Sequence, residues 1–108
     1  MSAPPLFDGL TEVRSTLVAD RRGQLTAPIA GAAGLSQEHA SATAVAIGEL
    51  VTVGEGAGLG QLELLLTTAP GRTTMTAVRA GAFATVALDP AKATSRVEKA
   101  LRAWAPPA

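Results

Sequence analysis

The segment from Ser36 to Val53 constrains the fold more than any other part of the sequence, because small and apolar residues occupy nearly every side of the helix that it predicts. Ser36 is a favourable N-cap, and Glu38 lies in the first turn, where its charge favours the positive end of the helix dipole. We expect the helix to end near Gly54 to Gly60, because four glycines in seven residues disfavour a helix. A helix this apolar needs cover on more than one side. A sheet covers only one, so the pattern predicts a module that assembles with a second copy or another protein.

Composition excludes several classes of protein. The chain has 108 residues, of which 47% are apolar, and this indicates one small domain. Nine basic and nine acidic residues balance, so the net positive charge typical of nucleic-acid binders is missing. There is no cysteine for a disulfide or a thiolate metal site, and no signal-peptide or membrane-helix pattern. We therefore expect a cytoplasmic protein without a nucleic-acid or membrane partner, and its arginine and alanine usage suits a bacterial, GC-rich genome.

Two short strands are predicted before the helix. They cover Arg14 to Asp20 and Gln24 to Ile29, and Gly23 between them is available for a positive φ in the turn. Pro28 cannot donate a ladder hydrogen bond, so the second strand is expected at a sheet edge. Residues 1–12 contain two prolines and a glycine, which predicts an N-terminal tail or a short helix.

Three strands and a second helix are predicted after the first helix. The strands cover Leu62 to Thr68, Thr73 to Arg79 and Ala82 to Leu88. Pro70 and Gly71 suit a type II turn between the first two. The pair Asp89-Pro90 predicts an N-cap followed by proline at the first helical position. The apolar residues that recur at helical spacing, and that should face the sheet, are Ala93, Val97, Ala100, Leu101 and Trp104.

The assembled order β-β-α-β-β-β-α predicts an α+β domain over residues 13–104, followed by a tail at 105–108. The simplest arrangement is a single five-stranded antiparallel sheet in which the first strand pairs with the fifth. The central helix then lies on one face and the terminal helix on the other. The second and third strands become the edges. The third strand carries only Glu63 as a charge and has no proline or lysine, so this unprotected edge predicts pairing with another chain.

The order and spacing of these elements resemble the roadblock/dynein light chain family over residues 13–104. The resemblance rests on the apolar strand, D-x-x-G turn and second strand at Leu17 to Leu25, and on the small-residue central helix. It continues in Gly58 to Leu66, which enters the third strand, and in the closing strand before Asp89-Pro90. The chain departs from the family at its front, where a full first helix is usual.

This resemblance implies a homodimer in which the third strands pair edge to edge and the central helices pack together. It also implies a non-catalytic platform that binds small Ras-like GTPases as a scaffold or an activating regulator, as MglB-like bacterial members do with polarity and motility GTPases. The alternative function is a profilin-like or sensory module that binds a small molecule or another protein without a GTPase. A pocket lined by polar groups would favour this alternative.

The predicted contact between copies centres on small residues of the central helix. Ala44 and Gly48 lie four residues apart, which lets another helix approach closely. Packing on the sheet is the alternative for this face, but the opposite face, with Val45, Leu50 and Val53, is also available for that purpose. The predicted dimer interface comprises Ala40, Ala44, Ile47, Gly48, Val51, Leu62, Glu63, Leu64, Leu65 and Leu66.

Motifs for catalysis are missing from the sequence. His39 is the single histidine, and no second ligand stands at metal spacing from it. The glycines at 54–60 follow a helix and lack the Gly-Lys-Ser/Thr of a phosphate loop. We therefore predict no catalytic, cofactor or metal site. The basic residues Lys92, Arg96 and Lys99 share one face of the last helix, either as a solvated face or as a contact for an acidic partner.

Overall fold

The computed structural model describes Phe7 and residues 9–31, 35–69 and 72–106. The elements are β1 (Val13–Asp20), β2 (Ala30–Gly31), α1 (Gln37–Ala57), β3 (Leu64–Ala69), β4 (Arg72–Val78), β5 (Ala82–Leu88) and α2 (Ser95–Ala103). One antiparallel sheet has the strand order β2-β1-β5-β4-β3. The predicted class, element order, β1–β5 pairing and edge strands are confirmed. The predicted Pro70-Gly71 turn lies outside the described residues.

The second strand is shorter and later than the predicted Gln24 to Ile29. The Asp20 carboxylate accepts the backbone N–H groups of Arg22 and Gln24, at 2.9 and 3.1 Å, and so closes a tight turn after β1. Beyond this turn Leu25 forms a single bridge to β1. Pro28 has no N–H to continue the ladder. Regular pairing therefore resumes only at β2.

Helix α1 ends in the predicted region, but the glycines do not stop it as expected. Gly54 and Gly56 are helical, and the chain leaves the helix at Gly58, whose φ is 69°. The N–H groups of Gly58 and Leu59 bond to carbonyls of the last turn, which satisfies the end of the helix. At the start, the hydroxyl of Ser36 makes no capping bond to the backbone.

The inward face of α1 is the reverse of the predicted one. Ala40 and Ile47 are completely buried in an α1-side core. The side predicted to pack on the sheet, with Val45, Leu50 and Val53, is instead exposed. The other members of this core are Leu17, Ala19, Val78 and Phe83.

Close backbone approach accounts for this choice of face. Gly23 has a φ of 89°, and a Cβ atom there would lie 3.0 Å from the carbonyl oxygen of Ala40. Gln37 also donates from its side-chain amide to the Gly23 carbonyl, at 2.6 Å. Small residues therefore bring the start of α1 against the turn after β1, and this contact turns Ile47 toward the sheet.

Helix α2 covers the opposite face, over an α2-side core. Phe83 belongs to the α1 side and its neighbour Ala84 to the α2 side, as strand alternation requires. The described α2-side core consists of Phe7, Met75, Ala77, Ala82, Ala84, Val86, Leu88, Val97, Leu101 and Trp104. Since Phe7 is buried there, the packed region reaches back beyond the predicted boundary at residue 13.

The start of α2 differs from the prediction. Asp89 accepts the N–H of Ala91 at 3.0 Å and so caps a single turn, and the helix proper begins only at Ser95. Ala93 lies before the helix and is exposed, so its assignment to the sheet-facing stripe is wrong. Val97, Leu101 and Trp104 are buried as predicted.

Candidate interaction surface

The outer edge of β3 is open along the described part of the chain. This strand pairs with β4 in unbroken register, from Leu64 opposite Ala77 to Ala69 opposite Arg72, and no described strand lies on its other side. The strand carries no charged residue, and Leu66 is 57% exposed. An uncharged, unblocked edge of this kind favours pairing with another strand.

A second apolar surface lies on the outward side of α1. Val45 and Val53 are each 63% exposed, and Leu50 is 41% exposed. The charged residues of α1 are Glu38, Glu49 and Glu55, with no lysine or arginine. Exposed apolar side chains on a helix that carries acidic residues but no lysine or arginine form a contact surface with a definite charge sign.

The residues predicted for the dimer interface fall into three environments. Ala40 and Ile47 are fully buried against the sheet and offer no surface to a second copy, so their assignment to an interface is corrected. Gly48 is exposed, with open space above it. The half-buried residues that pack against the α1-side core are Ala44, Val51 and Leu62.

The start of β3 contributes the rest of the predicted set. The carbonyl of Glu63 accepts the N–H of Val78 at 3.0 Å, and its exposed side chain lies 4.0 Å from Arg102. Leu64 packs partly into the α2-side core, and Leu65 is half-buried. The structure therefore brings 63–66 to the open edge and separates them from Ala40 and Ile47.

A cleft of about 770 Å³ lies between the end of α1 and the start of β3. Its walls carry both signs of charge together with glycine backbone. The lining residues are Arg21, Val51, Glu55, Gly58, Gly60, Gln61, Leu62, Glu63, Val78, Arg79, Ala80 and Arg102. Residues 54–60, which we considered and rejected as a phosphate loop, supply part of one wall.

Arg79 is the most connected residue at this end of the molecule, and the sequence pattern did not single it out. Its guanidinium donates to the carbonyls of Leu101, Arg102 and Trp104, at 2.9, 3.0 and 3.1 Å, where α2 ends. It also donates to the Val78 carbonyl at 2.9 Å and lies 5.8 Å from the centroid of the Trp104 ring. This side chain therefore joins α2 to the end of β4.

The basic face of α2 is partly engaged within the chain. Arg96 forms a two-pronged pair with Glu12, at 2.9 and 2.7 Å, and these charged hydrogen bonds lower the pKa of Glu12 to about 2. Lys92 lies before α2, so its assignment to this helix face is wrong, and its ammonium group donates to the Thr11 carbonyl at 3.4 Å. For Lys99, both interpretations of the basic face, a solvated residue or a contact for an acidic partner, stay predictions.

Both ring nitrogens of His39 contact other side chains. Its Nδ1 lies 2.9 Å from the Ser36 hydroxyl, and its Nε2 contacts the Arg72 guanidinium. Within the described ranges, no three histidine, cysteine, aspartate or glutamate residues converge as a metal site would require. Neither helix in that part of the chain is long and apolar enough to cross a membrane.

This architecture, an open five-stranded antiparallel sheet between two helices with one unblocked edge, defines the fold as a roadblock/LC7-type α+β fold. The chain is similar to the solved structure of Myxococcus xanthus MglB, with a TM-score of 0.71 and 17% identity over 82% of this chain and 71% of that one. The gliding protein MglB of Thermus thermophilus gives 0.69 and 15%, over 82% and 69%. A Roadblock/LC7 domain from Streptomyces avermitilis gives 0.56 and 13%, over 91% and 87%. No protein-family model matches the sequence, and a comparison with curated proteins finds no match.

Proposed function

We propose that this protein is a homodimeric, non-catalytic scaffold that regulates a small Ras-like GTPase in the bacterial cytoplasm. The observation that carries the proposal is the likeness of its fold to two MglB structures across 82% of the chain. The roadblock resemblance in the sequence implies the same class of partner. The exposed outer side of α1 and the open β3 edge supply the two contact surfaces that such a platform needs.

Pairing of β3 with the same strand of a second copy is the proposed mode of dimerisation. Leu64, Leu65 and Leu66 lie on an edge without charge, so two copies can align there without repulsion between like charges. An interface on the order of 1,600 Å² in total is expected for a stable dimer. One solved MglB structure, with a TM-score of 0.70 and 16% identity over 84% of this chain and 74% of that one, has a tetrameric arrangement, which supports self-association.

The central helices are proposed to meet at the side marked by Gly48. This residue is exposed and has nothing within 4 Å of where its Cβ would stand, so another helix can approach closely. Ala40 and Ile47 take no part, because both are buried inside one copy. The helix contact is thus expected to be a narrow addition to the strand pairing.

The effect on a GTPase is proposed to come entirely through binding. A platform without catalytic groups acts by stabilising one conformation of its partner's active site over another. The purified protein is therefore expected to bind neither GTP nor divalent metal on its own. Intrinsic GTP binding at micromolar affinity would overturn this proposal.

The test combines assembly with partner activity. Sedimentation equilibrium should give a dimer at micromolar concentration, and Leu65→Lys should give a folded monomer, because an edge lysine opposes strand pairing. Ras-like GTPases encoded by the source organism would then be assayed for GTP hydrolysis with the parent protein and with Leu65→Lys. A monomeric parent protein would contradict the proposal. A parent protein that binds none of these GTPases and leaves their GTP hydrolysis unchanged would contradict it as well.

A second candidate function has a specific observation in its favour. The cleft at the end of α1 combines apolar walls with several charged side chains, the feature that a small-molecule module would show. A ligand panel read by thermal stabilisation would test it, with Arg21→Ala to alter one wall and Arg22→Ala as the matched exposed control. Stabilisation that Arg21→Ala removes, in a protein without effect on any GTPase, would favour this candidate.

A further inference from the structure

Among the residues that the structure describes, the acidic side chains without a partner all belong to one helix. In the described part of the chain, the acidic residues with an ion pair or a hydrogen bond are Glu12, Asp20, Glu63, Asp89 and Glu98. Within the same ranges, the carboxylates of Glu38, Glu49 and Glu55 make neither, and all three belong to α1. The unpaired negative charge is therefore concentrated on the helix that also exposes valines.

The charge at the end of α1 opposes the helix itself. Glu55 lies near the C-terminus, where the helix dipole is negative, and the last turn contains no basic residue. Cations stabilise this end of a helix and anions destabilise it. Glu55 lines the cleft that also holds Arg21, Arg79 and Arg102, so it is left out of the docking surface described below.

Glu38, Val45, Glu49 and Val53 follow one another at spacings of seven, four and four residues. These spacings return to nearly the same side of an α-helix, so the four side chains form one row, which we call the outer row. The row is about 22 Å long, and its two carboxylates are separated by about 16 Å at 1.5 Å per residue. Both valines are 63% exposed.

We propose that the outer row is a docking site for a partner surface that places two lysine or arginine side chains about 16 Å apart, with apolar side chains between and beside them. The inference rests on the proposed function, because it specifies the chemistry of the partner that the platform receives. The cations pair with Glu38 and Glu49, and the apolar groups cover Val45 and Val53. An apolar contact flanked by charged groups, as Val45 is by Glu38 and Glu49, is a common form of protein interface.

The same charges argue against a second copy of this chain as the occupant. Two outer rows placed face to face would bring glutamates together with no cation from either helix, since α1 lacks lysine and arginine. Close like charges in an interface are unfavourable. Self-association is therefore left to the uncharged β3 edge and the Gly48 side of α1, and the outer row can be occupied at the same time.

The primary test uses a designed helical peptide that carries two lysines eleven residues apart on a leucine face, with a fluorescent label. Its affinity for the full-length protein is measured by anisotropy. Each exposed ion pair is worth up to about fivefold in affinity, so Glu38→Gln/Glu49→Gln should weaken binding by roughly tenfold at low salt. The difference should nearly vanish at 1 M NaCl, where charges are screened beyond about 3 Å.

Two controls make the test specific to the outer row. Glu98→Lys changes the net charge by the same two units but on α2, and should leave the affinity within about twofold, since this charge lies elsewhere. A peptide with glutamates in place of the lysines should not bind. Failure of the lysine peptide to bind, or equal weakening by Glu38→Gln/Glu49→Gln and by Glu98→Lys, would overturn the docking site.

The last arm separates this inference from the proposed function. A GTPase that the parent protein binds would be titrated with the outer-row variant, whose dimer should remain intact by sedimentation. Undiminished GTPase binding by that variant would overturn the docking site and leave the proposed function standing. Row-dependent peptide binding, in a protein that affects no GTPase, would support the docking site and remove the proposed function.

Discussion

Replacing Thr16 by valine should stabilise the protein. Thr16 is 3% exposed on β1 and pairs with Val86 of β5, in the α2-side core. Its hydroxyl is buried without any hydrogen-bond partner. Valine has nearly the same shape and the same preference for strands, so the substitution removes the polar atom with little disturbance of packing.

The expected gain follows from the cost of an unsatisfied hydroxyl. Mutational data place this cost at roughly 1 to 3 kcal/mol. We expect Thr16→Val to raise the free energy of unfolding by about 1 kcal/mol, and at most about 2. In a domain of this size that corresponds to about 4 to 8 °C in melting temperature for each kcal/mol. Urea unfolding at a fixed protein concentration, which keeps any effect of association constant, measures the change.

The neighbouring threonine pair provides a matched control. Thr76 and Thr85 are both buried, and their hydroxyls lie 2.8 Å apart. Thr85→Val should therefore destabilise the protein by about 1 to 3 kcal/mol, because it leaves the Thr76 hydroxyl alone. Valine at both positions should be nearly neutral. If Thr16→Val is as destabilising as Thr85→Val, the Thr16 hydroxyl has a partner after all, and the reasoning fails.

Two other substitutions test the helix surface and the charge pairing. Gly48→Ala should stabilise the protein by about 1 kcal/mol, because alanine is the better helix former and its Cβ meets nothing within one copy. Gly48→Leu should weaken the dimer by roughly 1 to 3 kcal/mol, measured by sedimentation, because the larger side chain overpacks the proposed helix contact. A dimer that Gly48→Leu leaves unchanged would remove Gly48 from the contact. Glu12→Gln should lower the urea midpoint at pH 7, since Arg96 lowers the pKa of Glu12 to about 2. That stabilisation is present above the ordinary carboxyl pKa and is lost as the pH falls toward 2, so the difference from the parent protein should shrink across this range. An equal difference at pH 7 and pH 2.5 would contradict the assigned role of the pair.

Four of the five strands could be predicted from the sequence, because turn residues separated them clearly, and the lack of charge on β3 marked the open edge. The second strand was misplaced, because Gln24 to Ile29 has a strand-like pattern but makes only a single bridge to β1 before Pro28. The start of α2 was misplaced, because Asp89-Pro90 has the same local chemistry whether it caps a helix or a single turn. Local patterns do not distinguish those two outcomes.

The side of α1 that faces the sheet could not be predicted, because both sides of the helix are apolar. The side that faces the sheet is decided by a contact between residues seventeen positions apart, in which Gly23 allows Ala40 to approach. Arg79 was missed for a similar reason, since its carbonyl partners on α2 lie more than twenty residues away in sequence. Sequence periodicity reports which residues share a side of an element, but not which side meets the rest of the protein.

The position of Arg79 also determines how the molecule would respond to mechanical load. Arg79 comes directly after β4, and its guanidinium donates hydrogen bonds to the last carbonyls of α2. A force applied at the C-terminus would therefore reach the sheet through this side chain. Helix and strand would therefore resist extension together instead of separating one after the other. Lysine offers no planar fork of donors, so Arg79→Lys should lower the force at which α2 detaches in single-molecule pulling.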